Sequence, residues 1–433
     1  VVAGPDPAAL GKSLYELVAQ LYPIHRSITG DGVRKTLELI AARIDLTVTE
    51  VPSGTQVFDW MVPLEWNLAD AYIVGPTGQR VAEIRDSNLH VVAYSTPIHE
   101  RMSLADLRPH LHSLPDHPEW VPYRTSYYTP TWGFCISQAA LGGLEEGEYE
   151  VVIDASLTEG HLTYGEILLP GASTDEVLVH THVCHPSLAN DNCSGIAVAV
   201  ALAELISRRD QRYSYRFLFV PGTIGAITWL SLNPEARSRV THGLVVSNVG
   251  DSGPLTYKRS QQGDAEIDRI ASHVIQARDP ASKVVEFSPY GYDERQYCSP
   301  GIDLPVGSFS RSSFGQFPEY HTSADDLTLV QPEHLGDSIA ALLEIVDAIE
   351  GNATYRNLNP MCEPQLGRRG LYRLIGGESG LPTDELAVLW VLNQSDGEHS
   401  LLDIAERSGL SFSSIRRAAD ALLSADLLEK IIG

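Results

Sequence analysis

Two hydrophobic periods alternate along the chain, and the places where the period changes divide it into parts. Residues 7–22 put Leu10, Leu14, Leu17, Val18 and Leu21 on one stripe at helical spacing. Val33 to Ile44 repeats that pattern after the turn Ser27-Ile28-Thr29-Gly30-Asp31-Gly32, where Thr29 or Asp31 is placed to cap the helix. Leu46 to Val51 alternates as a strand. From about residue 58 to 160 the texture becomes short alternating runs, such as Ala71–Val74 and Glu148–Ile153, interrupted by Gly and Pro and rich in Trp and Tyr, which predicts a small β-rich domain. Beyond about 165, buried-strand patterns (Glu176–His180, Tyr215–Val220, Gly243–Ser247) alternate with helical stretches at 195–207, 264–277 and 332–350. That order predicts an α/β sandwich with a mainly parallel sheet, whose functional groups gather at the carboxyl ends of strands.

Gly351 to Thr383 is irregular and reads as a linker, and Asp384 to Gly433 gives three helical patterns. The middle of that segment has the helix, Gly turn, Ser cap and second helix of a winged helix. The expected domains are an α/β domain over 1–57 and 160–352, an inserted β-rich domain over 58–159, a linker over 353–378 and a winged-helix-like domain over 379–433.

At 433 residues the chain exceeds one ordinary core, which agrees with several domains. Its formal net charge of -25 repels phosphate backbones, so nucleic acid is not an expected partner. The winged helix does not change this. Arg416 and Arg417 are the basic pair on its presumed recognition helix, and Asp403, Glu406 and Asp420 surround them. Protein contact or homo-oligomer formation is the expected role of that domain. The 5 cysteines are scattered and form no CxxC, which fits a reducing cytoplasm better than a disulfide framework. No apolar run is long enough to span a bilayer, and the first residues show no leader pattern, so a cytoplasmic location without membrane partners is expected.

The segment from His180 to Gly195 carries the most chemistry. His180, His182, His185 and Asp191 cluster where a buried strand ends and a helix opens. Neutral imidazole and carboxylate are natural ligands of zinc and similar ions. Strand alternation puts His180 and His182 on one face, where His180 reads as a packed core histidine and His182 as a ligand. A second segment, Pro318 to Leu327, offers His321 beside Tyr320 and four residues before Asp325. Asp325 could orient His321, and Tyr320 could donate to an oxyanion.

Together the segments resemble the zinc aminopeptidase superfamily that includes the glutaminyl cyclases. The family's strand–Ala-His-x-Asp is met by Thr181-His182-Val183-Cys184, its Asp-Asn-x-Ser-Gly by Asp191 to Gly195, and its Tyr-His-Thr-x-x-Asp by Tyr320 to Asp325. The chain is similar in particular to a bacterial aminopeptidase-like subfamily found near polysaccharide and natural-product gene sets. Its marks are His25 to Arg34, Cys184 to Ser187, Ala189 to Asn192 and Gly222 to Gly225. The subfamily has an inserted β domain, and some members carry a C-terminal winged helix.

The resemblance implies a zinc-exopeptidase-like α/β/α sandwich and a metal held by His182, Asp191 and His321, with Asp251 (or Asn248) at the position of a further family Asp. It also exposes a departure. The family's Glu-Glu pair, general base and second-metal ligand, falls here at Gly222 and Thr223. One zinc rather than two is therefore implied, and the base must come from elsewhere: His185, Glu319, Asp293 or Glu294. The resemblance implies a metal-dependent hydrolase that cleaves an aminoacyl or peptide amide of a small peptide or aminoacylated metabolite. The lost Glu pair leaves open a metal- and metabolite-binding protein without turnover, and the winged helix leaves open a regulator. Trp60 and Trp132 stand either as a pocket roof or as small-domain core.

Overall fold

The computed structural model describes residues 7–371 and 383–431. Its centre is an eight-stranded sheet made of β1 (Thr47–Pro52), β2 (His161–Leu169), β3 (Glu176–His182), β4 (Ser214–Val220), β5 (Val240–Val246), β6 (Thr256–Lys258), β7 (Lys283–Val285) and β8 (Val306–Ser310), in the order β1-β2-β4-β3-β5-β8-β6-β7. The four middle strands, β4-β3-β5-β8, run parallel. Every residue of β3, β4 and β8 is buried, as expected for parallel strands covered on both faces. Alternation then sends Val177, Val179, Tyr215, Phe217, Phe219, Leu244 and Val246 to one face, and Leu178, Leu218, Val220 and Val245 to the other.

The first face is covered by α1 (Pro7–Leu21), α2 (Asp31–Ala41), α3 (Gly195–Ile206), α5 (Glu266–Arg278) and α6 (Pro332–Gly351). On the second lie α4 (Ile224–Leu232) and the inserted segment. Helix α3 is apolar nearly all round, which suits a helix packed against both a sheet and other helices. Gly195 opens it because a Cβ there would lie 2.6 Å from the Val246 carbonyl oxygen.

Because β1 and β2 pair antiparallel, the chain between them leaves the main sheet and returns to it. It builds a separate four-stranded antiparallel sheet, in the order Arg80–Glu83, Glu65–Val74, Glu148–Thr158, Ile98–Ser103. This sheet is tied down at two places. Arg34 of α2 forms a two-pronged pair with Glu65 at 2.8 Å per bond, while the Thr29 hydroxyl accepts the Trp66 N–H at 2.9 Å. Neither Thr29 nor Asp31 caps α2, contrary to expectation: Gly30 stands at the cap, Thr29 serves the insertion, and the Asp31 N–H goes to Asn67. Trp132 stacks on His110 and the half-exposed Trp60 meets Tyr128 edge-on, so both serve the small domain's own packing.

The expected linker is partly a strand. β9 (Thr354–Asn357) forms the middle of the C-terminal sheet, between β10 (Asp396–Ser400) and β11 (Leu428–Lys430). The irregular sequence hid it because a four-residue strand shows too little alternation to read; residues 372–378 of that expected linker lie outside the described residues. Helices α7 (Thr383–Gln394), α8 (Leu401–Ser408) and α9 (Phe412–Ser424) complete this part. Arg269 of α5 pairs with Asp403 and Glu406 of α8. Arg416 of α9 lies across Gly351, where a Cβ would stand 2.0 Å from its Nη1. Acidic residues of the winged helix thus meet a cation of the α/β domain, and Arg416, which also pairs with Asp420 on its own helix, reaches over Gly351. Among the described residues, no helix is long and apolar enough to cross a membrane.

Arg216 on β4 joins Glu176 on β3 through two bonds of 2.6 and 3.0 Å, and Glu176 is 1% exposed. Arg216→Met removes two bonds from a buried carboxylate that keeps only Arg239 at 2.8 Å, and is expected to cost about 1.5–3 kcal/mol. Urea unfolding of the full chain measures this, and a midpoint equal to that of the unaltered protein would contradict the assignment.

Candidate metal centre

The centre forms at the carboxyl ends of β3 and β5. His182 is the last residue of β3 and is fully buried. The loop after it turns back so that Asp191 faces it, with His182 Nε2 2.9 Å from Asp191 Oδ1. His321 arrives from the far end of the sequence and places Nε2 3.1 Å from Asp191 Oδ2. The ligand atoms of His182, His185 and Asp191 lie within 4.8 Å of one another. Thus His182, His185 and Asp191 form one tight group, and His321 joins it through Asp191.

Asp191 Oδ2 and His321 Nε2 are buried, face each other, and have no hydrogen-bond partner. A buried polar atom without a partner is costly. Two such lone-pair carriers at one point fit a cation between them, and the donor set of imidazoles and a carboxylate is that of a zinc site. Burial holds the His185 imidazole well below its ordinary pKa, so the ring is neutral. Burial works to raise the Asp191 carboxyl, but His185, His182 and His321 override it and hold the carboxyl well below its usual range.

The loop carrying Asp191 is fixed from behind. Asp325 accepts the N–H of Asn190 at 2.6 Å and of Asp191 at 2.9 Å. Asp325 therefore orients the Asp191 backbone and not His321, as its spacing had suggested. Asp251 has a similar supporting place. Its oxygens are taken by Asn190 Nδ2, the Ser312 hydroxyl and the Gly253 N–H, so it stands apart from the imidazoles as a brace for Asn190. Of the two positions weighed after β5, Asn248 is the one with free atoms: it is fully buried and neither amide atom has a partner.

His321 sits at φ 57°, uncommon for a residue with a Cβ. The inserted domain holds it there: the Tyr123 N–H donates to the His321 carbonyl at 2.7 Å, and Ser323 bonds Val121 through both backbone and hydroxyl. Tyr123 also lays its ring against His321 and His185, at 5.1 and 5.2 Å between centroids. No spacing in the sequence marks Tyr123 as part of the site.

Tyr320 stacks on His321 at 3.9 Å. Burial pushes its phenol up, so it stays protonated and able to donate. Glu319 gives its backbone carbonyl to Thr322, and its carboxylate makes no bond to any described residue. The other two acidic candidates are committed elsewhere: Asp293 to His180 at 2.8 Å, and Glu294 to Lys258 at 2.8 Å. His180 is indeed a packed histidine, with Tyr297 on its second nitrogen.

The missing Glu pair has a structural explanation. The Tyr292 ring fills the space beside Gly222, where a Cβ would lie 2.2 Å from Cε1. Tyr292 also packs on His182 at 4.3 Å between centroids and meets the Cys184 thiol at 3.5 Å. Burial pushes that thiol up to about 12, so it is a neutral neighbour and not a thiolate ligand. Gly222 itself was the signal: a glycine in place of a long acid makes room for something, and here it is Tyr292.

Known proteins resemble the chain in sequence and in fold. Residues 15–352 match the family model described as a domain of unknown function, DUF4910, and residues 353–430 match a winged helix-turn-helix model. A Clostridium acetobutylicum protein, described as a candidate polysaccharide biosynthesis protein with an aminopeptidase-like domain, is 51% identical over 97% of both chains. The crystal structure of a candidate peptidase from Clostridium acetobutylicum superposes with a TM-score of 0.93 at 48% identity, covering 98% of this chain and 97% of that one. A zinc aminopeptidase from Bacillus subtilis shares the fold alone, with a TM-score of 0.57 at 14% identity over 78% of this chain and 95% of that one.

Gly222→Ala is expected to lose about 1–3 kcal/mol through collision with the Tyr292 ring. In a Tyr292→Ala background the same change should be nearly neutral. Thermal unfolding of the four proteins in the cycle reads this, and strictly additive effects would contradict the contact.

Proposed function

We propose that this chain, which belongs to the DUF4910 family and has the zinc-aminopeptidase fold, is a single-metal hydrolase of an aminoacyl or related amide. The observation that carries the reading is the pair of partnerless, facing atoms, Asp191 Oδ2 and His321 Nε2, with His182 on the opposite carboxylate oxygen. His182, Asp191 and His321 would hold the ion, with His185 as a further ligand or as the base. A zinc ion there would supply Lewis acidity toward an amide carbonyl and bring the pKa of water to about 7.

The chain's own groups do the rest. Tyr320 keeps its proton and donates to the carbonyl oxygen as negative charge develops there. His185 is neutral, and its Nδ1 faces the Cys184 thiol at 3.3 Å; its other nitrogen makes no bond to a described residue and can take a proton from water. Tyr123, Tyr292 and Phe314 crowd the imidazoles and exclude bulk water. The description of the Clostridium relative supports an amide-bearing metabolite of polysaccharide assembly as the substrate class.

A second reading, binding without turnover, is supported by one observation: the Tyr292 ring occupies the place where a carboxylate base would enter beside Gly222.

Metal analysis together with amine release from a panel of aminoacyl amides separates the two. The hydrolase reading expects about one zinc per chain, as in a three-ligand catalytic site. It also expects loss of both metal and amine release in Asp191→Asn and His321→Ala. Zinc binding without amine release from any amide would favour the binding protein, and unchanged zinc content in both variants would sink the site itself.

A further inference from the structure

We propose that the groove beside the imidazole cluster is a saccharide subsite, which takes the neutral, hydroxyl-rich ring of an amide-bearing amino sugar. The proposal deepens the hydrolase reading and rests on it for the amide.

The groove has a volume of about 470 Å³, within the ~300–1,000 Å³ usual for small-molecule sites. Its floor is a patch of the main sheet where β6 and β8 run antiparallel, with Thr256 opposite Ser310 and Lys258 opposite Ser308. Ser308 and Ser310 project to the same face, two residues apart, while Phe309 points into the core. Each serine is only 5% exposed, and neither hydroxyl bonds to another described residue. Neither oxygen is enclosed, so each opens onto the groove, where water or a ligand hydroxyl completes its hydrogen bonding.

The walls are aromatic. Tyr290 stands 64% exposed at the mouth. Phe314 forms the inner wall, and its ring also faces His182, Tyr292 and Tyr320 at 6.4, 5.4 and 6.2 Å between centroids. The groove and the metal centre therefore share a wall. An aromatic face above a hydroxylated floor suits a pyranose ring, which presents C–H bonds on its faces and hydroxyls at its rim.

The charges at the groove argue against a phosphate. Lys258 is paired with Glu294 and Arg311 with Asp337, while Glu286 pairs with Arg259, which leaves Lys283 as the one lining cation without an ion pair among the described residues. An apolar amino-acid side chain would fit no better, since it would leave both serine hydroxyls without water or partner.

The test is calorimetric titration of the zinc-loaded full chain with N-acetylglucosamine, and separately with inorganic phosphate. Saturable sugar binding is expected, with no phosphate binding. Affinity should fall about tenfold in the double variant Ser308→Val/Ser310→Val, as for two lost hydrogen bonds. A comparable fall is expected in Tyr290→Ala, whose exposed position makes a folding defect no explanation. Absence of saturable sugar binding, equal affinity in both variants, or phosphate binding in its place would overturn the subsite. Sugar binding without amine release would instead overturn the hydrolase reading alone, and amine release from simple aminoacyl amides without sugar binding would overturn the subsite alone.

Discussion

A fully buried carboxylate with imidazoles on both sides is a demanding arrangement, and much of this fold is organised around it. Asp191 cannot reach water, and one of its oxygens has no hydrogen-bond donor. The loop that carries it has to be rigid, because even a small displacement would separate it from His182 or His321. Rigidity comes from a second layer of polar groups: Asp325 on two backbone N–H groups, Asp251 on Asn190, and Asn190 in turn on Gly250 and Ser194. Such outer contacts commonly matter nearly as much as the ligands themselves.

The inserted domain takes part in the same constraint. It lies between two strands that pair with each other, so it could have been an ornament on the edge of the sheet. Instead its segment around Tyr123 grips the backbone of His321, which stands in an unusual conformation, and lines the site with an aromatic ring. The inserted domain thus helps to set the position of His321. At the other end, the winged helix docks through Arg269 and against Gly351, with its acidic helix facing the α/β domain.

Much of this was legible in the sequence, for physical reasons that differ from residue to residue. Fully apolar strands and Ala-rich helices have few alternative places, so the parallel sheet and its order of elements could be read. His182, Asp191 and His321 stood in ordered motifs at strand ends, and the fold draws them together. Asp325, Asp251 and Thr29 were visible as polar groups near the motifs, but their partners are long-range. Pattern alone cannot tell a carboxylate that faces a metal from one that caps a loop. Tyr123 and Tyr292 were hidden for the same reason, since contacts 60 to 200 residues apart leave no local period. The strand Thr354–Asn357 escaped because it is too short to alternate and pairs with residues much further on.

The central claim is that one ion joins side chains from both ends of the α/β domain. X-ray absorption at the zinc edge, measured on the full chain loaded with one equivalent of zinc, addresses it directly. The account predicts a shell of imidazole nitrogen and carboxylate oxygen at about 2.0–2.2 Å, with imidazole scattering that diminishes in His321→Ala. A spectrum of zinc surrounded by water alone, or one that His321→Ala leaves unchanged, would contradict it.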